Sequence, residues 1–137
     1  IMLGNCEDRE AQLGFFEWAK KEGIEVVWAD NFRKPVWEGK DEKEKAVRAA
    51  EFSARAMKNA TLTVASFDNE QEMFGDKTTE ESARRILSYG VKEAVITDGG
   101  NDITIATRGD NNEITFKKIT PTPHKPGEKL YTAGAGD

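Results

Sequence analysis

Cysteine and histidine are almost missing from this sequence: Cys6 and His124 are the only ones among 137 residues. A single cysteine excludes an internal disulfide and a thiolate metal site. A single histidine excludes a two-histidine zinc centre and leaves any Ser-His-Asp triad dependent on one residue between prolines. No apolar stretch approaches the roughly 20 residues that a membrane helix needs. There is no basic run, and the net charge is -5, which argues against nucleic acid or an anionic membrane as a partner. No signal peptide is read at the start, and the scarcity of cysteine points to a reducing, cytoplasmic setting. Proline is scarce as well. Three of the four prolines fall in PTPHKPGEK, 121–129, which reads as an irregular connection.

What is present suits one soluble domain. Hydrophobic residues make up 37% and charged residues 33%, and 137 residues are enough for one core and too few for two ordinary ones. Short apolar runs alternate with amphipathic segments. IML (1–3) is an apolar start. REAQLGFFEWAKKEG (9–23) spaces Leu13, Phe16 and Ala19 helically and stops at Gly23. IEVVWA (24–29) reads as a buried strand. The helix predicted over 41–59 carries an inner stripe of Ala46, Ala50, Ala54 and Met57. ATLTVAS (60–66) is a strand, DNEQEMFG (68–75) a short helix, and TTEESARRILSYG (78–90) a helix with threonine caps and a glycine stop. EAVITD (93–98) is a strand. DITIATR (102–108) and EITFKKIT (113–120) alternate in polarity, and the turn residues GDNN between them predict a hairpin. Trp18 and Trp28 are expected in the core, with Cys6 a small packed residue and His124 solvated.

Strands alternating with helices predict a mainly parallel sheet covered on both faces, an α/β class. Such sheets place ligands beyond the carboxyl ends of their strands. The chain begins inside a predicted strand and ends where a helix is expected, so a partial domain is expected.

The last six residues, TAGAGD, put Gly134, Ala135 and Gly136 before Asp137. A backbone this bare lets phosphate oxygens reach its amides. An acid beside such a cradle repels phosphate but can accept the proton of an attacking hydroxyl. TAGAGD resembles the signature of the ribokinase-like carbohydrate kinases. The resemblance implies an anion hole at Gly134, Ala135 and Gly136 and a catalytic base at Asp137. Tyr131 stands where that family usually has Asp.

Three further stretches extend the resemblance over nearly all of the chain. NFRKPVW (31–37) is similar to the Asn-Tyr-Arg-x-x-Leu-Trp stretch of 2-keto-3-deoxygluconate kinases, matching at Asn31, Arg33 and Trp37. A guanidinium suits the carboxylate of a sugar acid, so Asn31 and Arg33 are the expected substrate contacts. Ala29 stands where that group commonly has Asp, with Asp30 adjacent. SFDNEQEMFGD (66–76) resembles their Ser-Phe-Asp-Asp-Glu stretch. Ser66 takes the place of the Asn in ribokinase's Asn-x-x-Glu, and Asn69 that of the Glu. Asp68 and Glu70 are then the carboxylates expected to hold Mg²⁺, through water. VKEAVITDGGNDITI (91–105) resembles the strand and glycine turn beside the nucleotide, with Thr97 and Gly99 approaching the ATP phosphates and Asp102 where a second Gly is usual.

The resemblance therefore implies a ribokinase-like three-layer α/β/α fold, present as one partial domain over 1–137 without the amino-terminal half that carries the lid or the helices after Asp137. It implies an ATP-dependent, magnesium-requiring kinase for a primary hydroxyl of a sugar acid, with 2-keto-3-deoxygluconate the first candidate. Ser66, Thr97, Gly99, Gly134 and Gly136 would bind nucleotide. A kinase for neutral sugars, and a truncated half that catalyses nothing, are the alternatives. A homo-oligomer of the full-length protein is compatible with the same reading.

Overall fold

The helices form where capping and apolar spacing agree. In the computed structural model, which describes residues 9–29 and 31–122, the chain runs α1 (Arg9–Lys21), β1 (Val27–Ala29), a 3₁₀ turn (Lys34–Val36), α2 (Glu42–Met57), β2 (Leu62–Ser66), α3 (Phe67–Phe74), α4 (Thr79–Ser88), β3 (Glu93–Thr97), β4 (Ile103–Arg108) and β5 (Ile114–Ile119). Two helices start with the same device. Asp41 accepts from the Glu44 amide at 2.8 Å while Glu44 accepts from the Lys40 amide at 2.9 Å. Thr78 accepts from the Glu81 amide at 3.1 Å while Glu81 accepts from the Lys77 amide at 2.8 Å. Each pair satisfies two amides that the first turn cannot bond internally.

The five strands form one sheet in the order β1-β2-β3-β4-β5. The first three are parallel, with Val27 opposite Leu62 and Leu62 opposite Glu93. β4 returns antiparallel to β3, and β5 is antiparallel to β4 across the GDNN hairpin, so β5 again runs with the first three, with Ala106 opposite Phe116. Alternation then decides the core. Trp28, Thr63, Ala65, Ala94, Ile96, Thr104 and Ala106 point to one buried face. Every described helix adds to the same cluster: Leu13 and Ala19 from α1, Ala49, Phe52, Ala56 and Met57 from α2, Met73 from α3, and Ala83, Ile86 and Leu87 from α4. These are the mostly parallel sheet and a helical layer of the expected three-layer α/β/α fold. No described helix is long and apolar enough to cross a membrane.

Three expectations are corrected. Trp18 is 49% exposed rather than in the core, while Trp28 is buried and meets Phe16 edge-on at 6.0 Å. Trp18 lies five positions after Leu13, which turns it about 140° from that side chain. The inner stripe of α2 is Ala46, Ala49, Phe52, Ser53, Ala56 and Met57, with Ala50 and Ala54 only half-buried. The large ring of Phe52 sets which way the helix faces, a preference that a row of alanines cannot contest. The first strand is shorter and less buried than expected, because only Val27–Ala29 pair with a neighbour. Ile24 and Val27 are exposed.

Candidate functional site

Because β1, β2 and β3 are parallel, their carboxyl ends share one edge of the sheet. The segments following them carry most of the described candidates. After β1, the loop holding Asn31 and Arg33 is exposed, and Arg33 Nε donates to Asn31 Oδ1 at 3.2 Å. Phe32 and Trp37 turn inward from the same loop and are buried. Trp37 packs 6.1 Å from Phe52 and underlies the Arg9 guanidinium at 4.7 Å. Alternating anchors and exposed polar residues therefore pin the loop while presenting Arg33 outward.

After β2 there is no loop: α3 begins at once, so its amino end lies at the sheet edge. Ser66 occupies the N-cap position, yet its side chain makes no capping bond. Asp68 is exposed in the first turn, and Asn69 is half-buried beside it. Glu70 is fully buried and ion-paired with Arg85 of α4. Lys34 of the Arg33 loop forms an ion pair with Glu72 of α3, which ties these two candidate segments together. That carboxylate raises the Lys34 ammonium above its ordinary value.

After β3, Thr97 sits beside Ser66 in the register, and its hydroxyl donates to the Ala65 carbonyl at 3.3 Å. The chain then turns through Asp98–Asn101, closed by the Asn101 amide on the Asp98 carbonyl at 2.8 Å. Gly99 has φ +53°, and a Cβ there would meet no atom within 4 Å. The glycine therefore serves the turn and keeps the surface above it open. Asp102 accepts from the Thr120 hydroxyl at 2.7 Å, which draws its carboxylate toward the end of β5.

The structure thus brings Asn31, Arg33, Ser66, Asp68, Thr97 and Gly99 to one sheet edge. Gly134, Ala135, Gly136 and Asp137 lie outside the described residues, as do Cys6, Asp30, His124, Tyr131 and the apolar start at 1–3. Among the described residues no three His, Cys, Asp or Glu side chains gather to hold a metal. Of the two carboxylates expected to hold Mg²⁺, Asp68 is exposed, whereas Glu70 is buried and taken up by Arg85.

The sequence reading missed Arg85, Asp76 and the Lys34–Glu72 pair. Asp76 and Arg85 are nine positions apart, and their contact depends on how α3 and α4 pack. The local signal was the acid directly after the stop glycine Gly75, which reads as solvated unless a cation is known to face it.

No family model matches the chain. It is 32% identical over 139 aligned positions to a 5-dehydro-2-deoxygluconokinase of Clostridium perfringens, covering 98% of this chain and 37% of that protein. It is 24% identical over 117 residues to a 2-dehydro-3-deoxygluconokinase of Haemophilus influenzae, covering 85% of this chain and 34% of that protein. Among solved structures, aminoimidazole riboside kinase from Salmonella enterica superposes with a TM-score of 0.72 at 22% identity, covering 98% of this chain and 40% of that one. The chain belongs to the ribokinase-like carbohydrate kinase superfamily. Within the superfamily, fructokinase from Vibrio cholerae, solved with fructose, ADP and calcium ion, superposes with a TM-score of 0.70 at 22% identity over 90% of this chain and 37% of that one. The chain spans little more than a third of the length of the curated superfamily relatives it matches.

Proposed function

We propose that the protein is an ATP-dependent kinase that phosphorylates a primary hydroxyl of a sugar acid, with 2-keto-3-deoxygluconate as the first candidate substrate. The observation that carries this reading is Arg33, held by Asn31 on an exposed loop at the carboxyl edge of the parallel strands. A guanidinium there recognises a carboxylate through paired hydrogen bonds, a feature a neutral sugar does not offer. Both curated relatives are named for dehydro-deoxygluconates, which carry that carboxylate. The 5-dehydro-2-deoxy acid is therefore tested beside the 2-keto-3-deoxy acid.

In the proposed reaction Asp137 accepts the proton of the primary hydroxyl. The oxygen forms a bond to the γ-phosphorus of ATP as the bond to the β-phosphate oxygen breaks, and ADP leaves. The amides of Gly134, Ala135 and Gly136 bear the developing charge. Ser66, Thr97 and Gly99 line the approach of the phosphates, and Asp68 is the exposed carboxylate for the water shell of Mg²⁺. Bound Mg²⁺ would neutralise phosphate charge. Glu70 serves this edge from the buried side, through Arg85.

The test is ADP release by the full-length protein with ATP and Mg²⁺, in the presence of each sugar acid and of fructose. Release with a sugar acid and not fructose is expected. Arg33→Ala should raise KM for the acid by about one to two orders of magnitude, as expected for losing a charge-assisted pair. Asp137→Asn should abolish turnover while nucleotide still binds. Release with fructose alone would replace the acid with a neutral sugar, and no release with any sugar would favour a binding unit without catalysis.

A further inference from the structure

The start of α3 carries two of the proposed phosphate-side residues, Ser66 as its N-cap and Asp68 in its first turn, yet little in its own sequence holds it. The helix has eight residues, too few to persist alone. Its N-cap side chain makes no capping bond. The Lys34–Glu72 pair and Met73 in the core help to seat it, and the polar grip on it comes from α4. Arg85 Nε donates to Asp76 Oδ2 at 3.0 Å, and Nη2 donates to the same oxygen at 2.8 Å. Nη2 also pairs with Glu70 Oε2. The guanidinium stacks on the Phe74 ring, 3.6 Å from its centroid. One side chain thereby grips the first turn of α3 at Glu70, its last turn at Phe74 and the loop beyond it at Asp76.

Two carboxylates, Glu70 and Asp76, both buried, face one guanidinium. A buried ion cluster of this kind is a poor source of stability, because desolvation offsets most of the attraction. Its value lies in geometry: a planar fork meets two carboxylates in a single arrangement. Glu70 also sits in the first helical turn, where the positive end of the helix dipole favours its charge.

We propose that Arg85 is a positioning residue that holds the first turn of α3, and with it Ser66 and Asp68, at the carboxyl edge of the sheet, and so sets the affinity for Mg·ATP. This rests on the kinase reading above. Arg85→Met would remove the cation that two buried carboxylates share and can fail to fold. The informative variants are Arg85→Lys, which keeps the charge and loses the fork, and Asp76→Asn, which loosens the far grip and leaves Glu70 paired.

The full-length protein and both variants are compared by hydrogen exchange of the 67–71 amides without ligand, and by KM for Mg·ATP and for the sugar acid. Exchange in 67–71 should quicken, and KM for Mg·ATP should rise about tenfold, the usual cost of losing a supporting contact. KM for the sugar acid should stay within about twofold, a split that general destabilisation does not produce. Variants with wild-type exchange in 67–71 and an unchanged KM for Mg·ATP would overturn the positioning role. Equal losses for both substrates would also overturn it, in favour of a purely structural cluster. A wild-type protein that binds no Mg·ATP would sink the kinase reading and the nucleotide half of this proposal together. That outcome is told apart because the unaltered protein fails.

Discussion

The two sides of the sheet's helical layer are built on different terms. Around β3 and β4, the α4 residues Ala83, Ile86 and Leu87 meet Ala94, Ile96 and Ala106, all with no exposed surface. Around β1, the strand has three residues, Val27 is 59% exposed, and α1 turns Phe15 and Trp18 to solvent with their rings 5.5 Å apart. Both regions have apolar sequence. The difference is what each apolar residue meets: α4 has one apolar stripe and one surface to place it on, whereas α1 has more apolar residues than its buried face accepts. An apolar letter states a preference for burial and does not name a partner.

The sharpest way to break this comparison is to truncate one side chain on each side. Leu87→Ala removes a fully buried side chain and should cost about 2–5 kcal/mol of unfolding free energy, depending on how far the site collapses. Trp18→Ser removes a larger side chain that is half exposed and should change stability by no more than about 0.5 kcal/mol. Urea unfolding of the full-length protein decides it. Similar midpoint shifts for the two variants would mean that Trp18 is covered in the folded protein.

The same contrast explains what the sequence made legible. Helix limits were readable wherever the signal was local. Thr78 with Glu81, and Asp41 with Glu44, satisfy their own amides, so the start of each helix needs no information from elsewhere. The central strands alternate because both neighbours are present, and Thr63, Ala65, Ala94 and Ile96 fall inward as alternation requires. The first strand was over-read because Ile24 and Val26 look like strand residues, while Val26 bonds to Thr61 outside the ladder and Ile24 is exposed. At the site, Asn31, Arg33, Ser66, Asp68, Thr97 and Gly99 came from motifs that share a sheet edge. Glu70 shows the limit of that approach. An acid in an acidic loop reads the same whether it faces water, a metal or a buried arginine, and only the packing of α4 on α3 places it against Arg85.

A smaller effect sharpens the comparison at two glycines with the same backbone. Gly23 after α1 has φ +71° and Gly75 after α3 has φ +78°, and a Cβ at either would meet no atom within 4 Å. Backbone strain alone predicts about 1 kcal/mol for alanine at each position. Gly75 additionally aims Asp76 at Arg85, so Gly75→Ala should lower Tm by more than Gly23→Ala. Equal shifts in paired thermal melts would mean that the Asp76 contact survives a change in the turn.

The smallest effect concerns the ion pairs on the two sides. Lys118 meets Glu80 at 2.7 Å, joining β5 to α4, and Arg55 meets Glu10 at 2.7 Å, joining α2 to α1. The hydrogen bond from Lys118 lowers the Glu80 carboxyl below its ordinary value, and the bond from Arg55 does the same for Glu10. A lowered folded value makes the contribution complete above the ordinary glutamate pKa of 4.5 and removes it as pH falls through the folded value. Both pairs are exposed, so solvent and salt screen them. Lys118→Met should therefore destabilise only slightly at pH 7 and low salt, and not at all below the folded pKa of Glu80 or at high salt. Unfolding curves of the variant and the wild type at pH 7 and pH 3 check the sign. A difference that grows on acidification would show that Lys118 acts through packing of its stem on the sheet rather than through Glu80.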